Sequence, residues 1–218
     1  PEELPVLNGL AKNFGVSDQY FCSVPTQTNC NRAFAASGNS LGINDDGKLE
    51  AFVNNRDFSY VPPHLSQPVG KQFNQKTMWN VLSDNGLDQP SDWMHYYSKG
   101  SWWEDLLGLE GYAYTRDLMT QIQDSSFDQH FDQIDTFFEK AAAGTLPKVC
   151  FLEPEWGLEF PVSERDYGVN GSDYHPPTNL VAGEAFVKKI YDSLTSNKEA
   201  WDNTLFIINF RSEERRVG

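Results

Sequence analysis

The sequence predicts an α/β fold: a mostly parallel sheet flanked by helices. Two observations carry this expectation. A long amphipathic stretch, Phe127 to Ala143, is followed by the short apolar run Val149-Cys150-Phe151-Leu152. The same order recurs where a helical stretch from about Leu180 to Leu194 leads to Thr204-Leu205-Phe206-Ile207-Ile208-Asn209-Phe210. Alternating helix and strand of this kind builds parallel sheets, whose strands read as continuous apolar runs.

Along the chain, Leu7, Leu10, Ala11 and Phe14 recur at helical spacing, which predicts a helix over Leu4 to Asn13 that ends near Gly15 and packs on the sheet. Gln19 to Val24 reads as an aromatic, extended strand stopped by Pro25, which cannot donate to a ladder. Thr28 is a good N-cap for a short helix over Asn29 to Ser37, with Gly38 as its C-terminal stop. Leu41 to Gly70 is rich in Asn, Asp, Gly and Pro and reads as an insertion or long surface loop, with Asp45-Asp46-Gly47 as a turn. Asp45, Asp46 and Glu50 lack the remaining ligands of a calcium loop. In the Thr77 to Asn85 helix, Met78, Val81 and Leu82 form the apolar side, with Gly86 beyond its end. In the Phe127 to Ala143 helix the stripe is Phe127, Phe131, Ile134, Phe138 and Ala141, with His130 on the wet side and Gly144 as the stop. Val149 to Leu152 reads as a strand buried on both faces.

With 218 residues and 39% hydrophobic content, the chain can bury the core of one domain or a large part of one. A net charge of −14 argues against nucleic acid as a partner and against adsorption to anionic membranes. No apolar run approaches the ~20 residues that span a bilayer. Three cysteines, Cys22, Cys30 and Cys150, show no metal-ligand spacing. The aromatic group Trp93, Tyr96, Tyr97, Trp102, Trp103, Tyr112 and Tyr114 has two readings, core packing or a cation-π cage for a quaternary ammonium.

Two ordered blocks resemble a known family. Pro25-Thr26-Gln27-Thr28-Asn29-Cys30-Asn31-Arg32 is similar to the Pro-x-x-Thr-x-x-Asn-Arg segment of the phosphoesterases that include bacterial phospholipases C and acid phosphatases. Glu153-Pro154, Asp173-Tyr174-His175-Pro176-Pro177 and Gly183-Glu184 follow in the order of that family's later blocks. The resemblance implies an alkaline-phosphatase-like fold, incomplete here, with residues 1 to 210 as the central part of a single domain and Trp93-Met94-His95-Tyr96-Tyr97 as the aromatic strand after the Thr77 to Asn85 helix. Arg211 to Gly218 resembles a translated sequencing adapter and is treated as a non-native tail. It also implies hydrolysis of a phosphate ester or phospholipid in a secreted or periplasmic protein. Asn170-Gly171-Ser172 would be a glycosylation acceptor in a eukaryotic source.

By the same resemblance, Thr28 is the nucleophile and a metal ligand, His175 the second catalytic residue, and Asn31 and Arg32 the phosphate contacts. A threonine alcohol is a weak nucleophile, which is why a divalent metal ion of unspecified identity is expected, its remaining ligands outside this chain. Thr28 also sits where helix N-H groups and the positive end of the dipole favour an oxyanion. The residues alone leave other roles open: Thr28 as a cap, Arg32 in an outward salt bridge, His175 as a loop residue, His95 as a strand residue. The rival readings are a catalytically inactive fragment and a choline- or carbohydrate-binding module.

Overall fold

The structure is a computed structural model that describes residues 4–26, 28–43, 47–51, 73–98, 113–155, 171–174 and 180–210. Its elements are α1 (Pro5–Asn13), α2 (Thr28–Ser37), β1 (Leu41–Ile43), β2 (Leu49–Ala51), α3 (Met78–Asp84), β3 (Trp93–Tyr97), α4 (Tyr114–Leu118), β4 (Phe131–Gln133), α5 (Ile134–Ala143), β5 (Val149–Glu153), α6 (Leu180–Thr195) and α7 (Lys198–Trp201). They fall into two compact units. One comprises residues 1–17, 90–113 and 130–205, the other residues 18–89, 114–129 and 206–218.

The first unit holds the parallel sheet that the sequence predicts, in the order β4-β3-β5. His95 pairs with Phe131 on one side of β3 and with Phe151 on the other. Trp93 and Tyr96 are wholly buried, and each aromatic side chain removed from water stabilises the fold by about 2–3 kcal/mol. Those two rings are therefore core, and the cage reading fails for them. Tyr97 and Tyr114 are half-buried, while Trp102, Trp103 and Tyr112 lie outside the described residues. α5 covers the Tyr96 face of the sheet, with the Tyr96 and Phe137 rings 5.6 Å apart. α6 packs on α5 through Val187, Ile190 and Leu194 on its buried side. α1 packs on α6 rather than on the sheet, and none of its residues is fully buried. Burial pushes the Tyr96 phenol well above its ordinary pKa, with Cys150 and Asp132 adding to the rise.

Several elements differ from expectation, each for a tertiary reason. Phe127–Gln133 is not the first half of a helix. Ser125–His130 forms 3-10 turns and Phe131–Gln133 is β4, because β3 supplies a ladder that outweighs helical periodicity. His130, expected on the wet side, is fully buried: its Nδ1 lies 2.9 Å from the Trp93 carbonyl and its ring stacks on the Trp93 indole at 3.7 Å. β5 is not buried on both faces, since Val149 is 43% exposed and β5 pairs only with β3 among the described residues. Thr204–Phe210 forms no strand and its alternate apolar residues Leu205 and Ile207 face water.

In the second unit, Leu41–Ile43 and Leu49–Ala51 are not loop but an antiparallel pair, β1 with β2, and Gly47 takes a left-handed φ of 73°. Residues 44–46 and 52–70 of the expected loop lie outside the described residues. Gln19–Val24 is bent rather than extended in a ladder. The Val24 amide and carbonyl bond the Asn31 side chain, and Tyr20 and Phe21 are about half exposed. α3 begins where the helix is expected, at a capping box formed by Thr77 and Asn80. Its buried face, however, is Trp79 and Asn80, while Met78 and Val81 are exposed. Asn80 is drawn inward because its Nδ2 donates to the Gln121 carbonyl at 2.7 Å. Phe73, Trp79, Met119 and Ile122 make the core around it.

Candidate active site

α2 begins at Thr28 itself, one residue earlier than predicted, and ends before Gly38, whose φ is 72°. Its next residues are almost all inside: Asn29, Cys30, Asn31, Arg32 and Ala33 are buried while Thr28 is half-buried. The helix therefore presents its first hydroxyl at the edge of a packed interior. Backbone N-H groups of a first helical turn have no intrahelical acceptor, and the helix dipole adds partial positive charge there.

Asn31 determines the shape of the approach to Thr28. Its Nδ2 donates to the carbonyls of Val24 and Thr26, at 3.0 and 2.9 Å, and its Oδ1 accepts from the Val24 amide at 3.1 Å. Both amide hydrogens are thus engaged with the loop rather than standing open to a ligand. Thr26 N also donates to the Val24 carbonyl, at 2.8 Å, closing a tight turn just before α2.

Arg32 lies one helical turn after Thr28 and is 7% exposed, so it is no outward surface ion pair. Its Nη1 donates to Thr115 Oγ1 at 2.8 Å and its guanidinium sits 4.7 Å over the Tyr114 ring. The Tyr114 hydroxyl in turn donates to Asn29 Oδ1 at 2.6 Å. A buried guanidinium held by a hydroxyl and an aromatic face keeps its positive charge in a poorly hydrated place, where it acts strongly on an anion. α4 supplies both holders, and nothing in the spacing of Tyr114 and Thr115 announces that role.

The later motif blocks belong to the first unit. Glu153 ends β5 and is 1% exposed, with Oε1 3.5 Å from Nε2 of the equally buried His95. His95 is a strand residue, its ring between Phe131 and Phe151. Asp173 and Tyr174 precede His175, which lies outside the described residues, as do Asn170 and Arg211 to Gly218. Tyr174 adopts a left-handed φ of 57°, unusual for a bulky side chain. Its hydroxyl donates to Glu184 Oε1 at 2.7 Å.

Among the described residues, no group of three or more His, Cys, Asp or Glu side chains could hold a metal ion. Hard divalent cations take several oxygen ligands, carboxylates among them, and Thr28 offers one neutral oxygen. The described residues therefore do not by themselves fit the divalent metal that the resemblance implies. Cys22, Cys30 and Cys150 form no disulfide with one another. No described helix is long and apolar enough to cross a membrane.

A model of the phosphoesterase family matches residues 1–214. The chain belongs to this family. The phosphoesterase chain is 28% identical over 211 residues to non-specific phospholipase C6 of Arabidopsis thaliana, covering 96% of this chain and 32% of that protein. Non-specific phospholipase C1 of the same plant is 27% identical over 213 residues, with the same coverage. Hemolytic phospholipase C of Pseudomonas aeruginosa is 25% identical over 235 residues, covering 95% of this chain and 28% of that protein. This phosphoesterase chain spans about a third of the length of the curated relatives it matches.

Proposed function

We propose that the gene product to which this chain belongs hydrolyses phosphoric esters in the manner of a phospholipase C or acid phosphatase, with Thr28 as the nucleophile. The observation that carries this reading is Thr28 as the first residue of the inward-packed helix α2, with the Arg32 guanidinium buried one turn on. In this mechanism Thr28 Oγ1 forms the new bond to phosphorus as the ester P-O bond breaks. The hydroxyl proton passes to water and His175 protonates the departing alcohol, a task suited to a group that titrates near neutrality. Water then cleaves the phospho-threonine and restores the hydroxyl. The first-turn N-H groups of α2 and the Arg32 charge favour the pentacoordinate anion. Asn31 holds the Val24–Thr26 turn and reaches a phosphoryl oxygen only by exchanging one of its loop contacts.

A divalent cation belongs to the proposal on the strength of family membership, with Thr28 as one ligand and the others beyond the described residues. Export from the cytoplasm belongs to it as well, supported by the acidic composition of the chain. The test is turnover of p-nitrophenyl phosphate and p-nitrophenyl phosphorylcholine by the full gene product, with and without added zinc, calcium or magnesium. Thr28→Ala is expected to lower kcat by several orders of magnitude, because the covalent route disappears. Near-normal turnover in that variant overturns the assignment of the nucleophile.

A further inference from the structure

Three contacts tie α4 to the start of α2, and two of them come from one side chain. The Tyr114 hydroxyl donates to Asn29 Oδ1 at 2.6 Å, while its ring lies 4.7 Å beneath the Arg32 guanidinium. Asn29 and Arg32 are three residues apart and therefore neighbours on the helix surface. The third contact comes from the next residue of α4: Thr115 Oγ1 accepts from Arg32 Nη1 at 2.8 Å. Asn29, Arg32 and Thr115 are all buried, so water competes weakly for these bonds.

α4 is a firmly packed base for such a clamp. Met119 and Ile122, just beyond it, are wholly buried, and the Thr120 amide donates to the Phe73 carbonyl at 3.0 Å. Arg116 Nε donates to the Ile122 carbonyl at 3.1 Å and the Gln123 side-chain amide donates to the Asp117 carbonyl at 2.8 Å, folding the following chain back on α4. The start of α2 has less of its own to hold it, since the amides of a first helical turn have no intrahelical acceptor. Thr28 directly precedes Asn29 and lies one turn before Arg32, so the clamp grips the turn that the hydroxyl opens.

Resting on the functional reading above, we propose that Tyr114 and Thr115 are positioning residues for phosphoryl transfer. The Tyr114 hydroxyl sets the first turn of α2, and the Tyr114 ring and Thr115 together fix the Arg32 guanidinium. Neither residue needs to touch substrate. A hydroxyl oxygen and a ring face hold a guanidinium without cancelling its charge, as a carboxylate would. A guanidinium released to other rotamers spends part of its time away from the developing anion, and the stabilisation that depends on its being preorganised falls. The loss is read in kcat, because the pentacoordinate anion needs the charge more than the bound ester does.

The experiment uses the full gene product with p-nitrophenyl phosphorylcholine and p-nitrophenyl phosphate as substrates. Thr115→Val keeps the shape and removes the acceptor; Tyr114→Phe keeps the ring and removes the donor. Each is expected to lower kcat about tenfold with KM within about threefold, whereas Thr115→Ser, smaller but still an acceptor, keeps kcat within about twofold. A packing role alone predicts the reverse order, since valine fills the site better than serine. On an Arg32→Ala background, itself slower than wild type, Thr115→Val should lower kcat no further, because its effect runs through the guanidinium. Wild-type kcat in Thr115→Val, Tyr114→Phe or Arg32→Ala, an equal loss in Thr115→Ser, or an additive loss on Arg32→Ala overturns the positioning role, while the nucleophile assignment still stands on Thr28→Ala. Should Thr115→Val not fold, Tyr114→Phe decides by the same criterion. Turnover of neither ester by the wild type, or near-normal turnover by Thr28→Ala, overturns the functional reading and the positioning role with it.

Discussion

Replacing Asn31 by Asp isolates the hydrogen bonds that shape the approach to α2, because the two side chains have nearly the same size. In the native structure the Asn31 Nδ2 group donates to two carbonyls, and the side chain is 4% exposed. A carboxylate in its place donates nothing and points a negative oxygen at both. Two lost hydrogen bonds cost about 1 kcal/mol each, and an acceptor left buried against acceptors adds about 1–3 kcal/mol. The expected loss is therefore roughly 3–5 kcal/mol, or about 6–20 °C in Tm for a chain of this size. pH supplies a second handle. Burial beside carbonyls raises the pKa of the introduced carboxyl above the ordinary value of about 4, so the neutral form is favoured in the folded state. A raised pKa gives its benefit below the unfolded value and loses it as pH rises. The destabilisation should thus be large at pH 7 and shrink toward pH 4. Thermal unfolding of the 218-residue chain followed by circular dichroism at both pH values, always against the native chain, checks this. A Tm within about 2 °C of native at pH 7, or a deficit that grows as pH falls, would refute the reasoning.

Two other outcomes follow from the packing of the first unit. Phe137 is 2% exposed between Tyr96 and Phe138, so Phe137→Ala should destabilise the chain by about 3–5 kcal/mol, read from its denaturant midpoint. Burial pushes the Cys150 thiol up to about 12, with Lys140 opposing weakly. In the folded chain Cys150 should therefore resist alkylation at pH 8 and react on unfolding. Stability tied to this thiol is full below about pH 9 and declines as pH rises toward 12; alkylation at equal rates in native and urea-unfolded chain would contradict this.

The parts of the fold that could be read from sequence are those in which local chemistry and tertiary placement agree. Trp93 to Tyr97 is a strand because five bulky residues in a row suit a pleated, buried surface, and it is the central strand of the described sheet. The helix expected from Thr77 starts there, and the structure supplies the reason, a capping box between Thr77 and Asn80. Where the environment decides, sequence misleads. Phe127, Phe131, Ile134 and Phe138 keep a helical period, yet β3 recruits Phe131–Gln133 as a strand. His130 looks solvated beside Asp128 and Gln129 until the Trp93 carbonyl and indole are known. In the candidate site, the start of α2 is visible in Thr28 and Gly38. The Tyr114 and Thr115 that hold Arg32 are not, being 82 and 83 positions away along the chain. Glu184 was legible as part of a motif block but not as the cap of a helix 178 residues earlier.

That separation bears on how the molecule is made. A ribosome adds roughly 5–20 residues per second, so about 9–36 s pass between the emergence of Val6 and that of Glu184. Arg32 waits about 4–17 s for Thr115 by the same clock. α1, whose Val6 amide donates to the Glu184 carboxylate, is thus fastened late, and α2, which carries the proposed nucleophile, gains its buried arginine contact only after α4 has left the ribosome. During translation both segments depend on partners not yet made, which makes nascent α1 and α2 natural clients of holding chaperones.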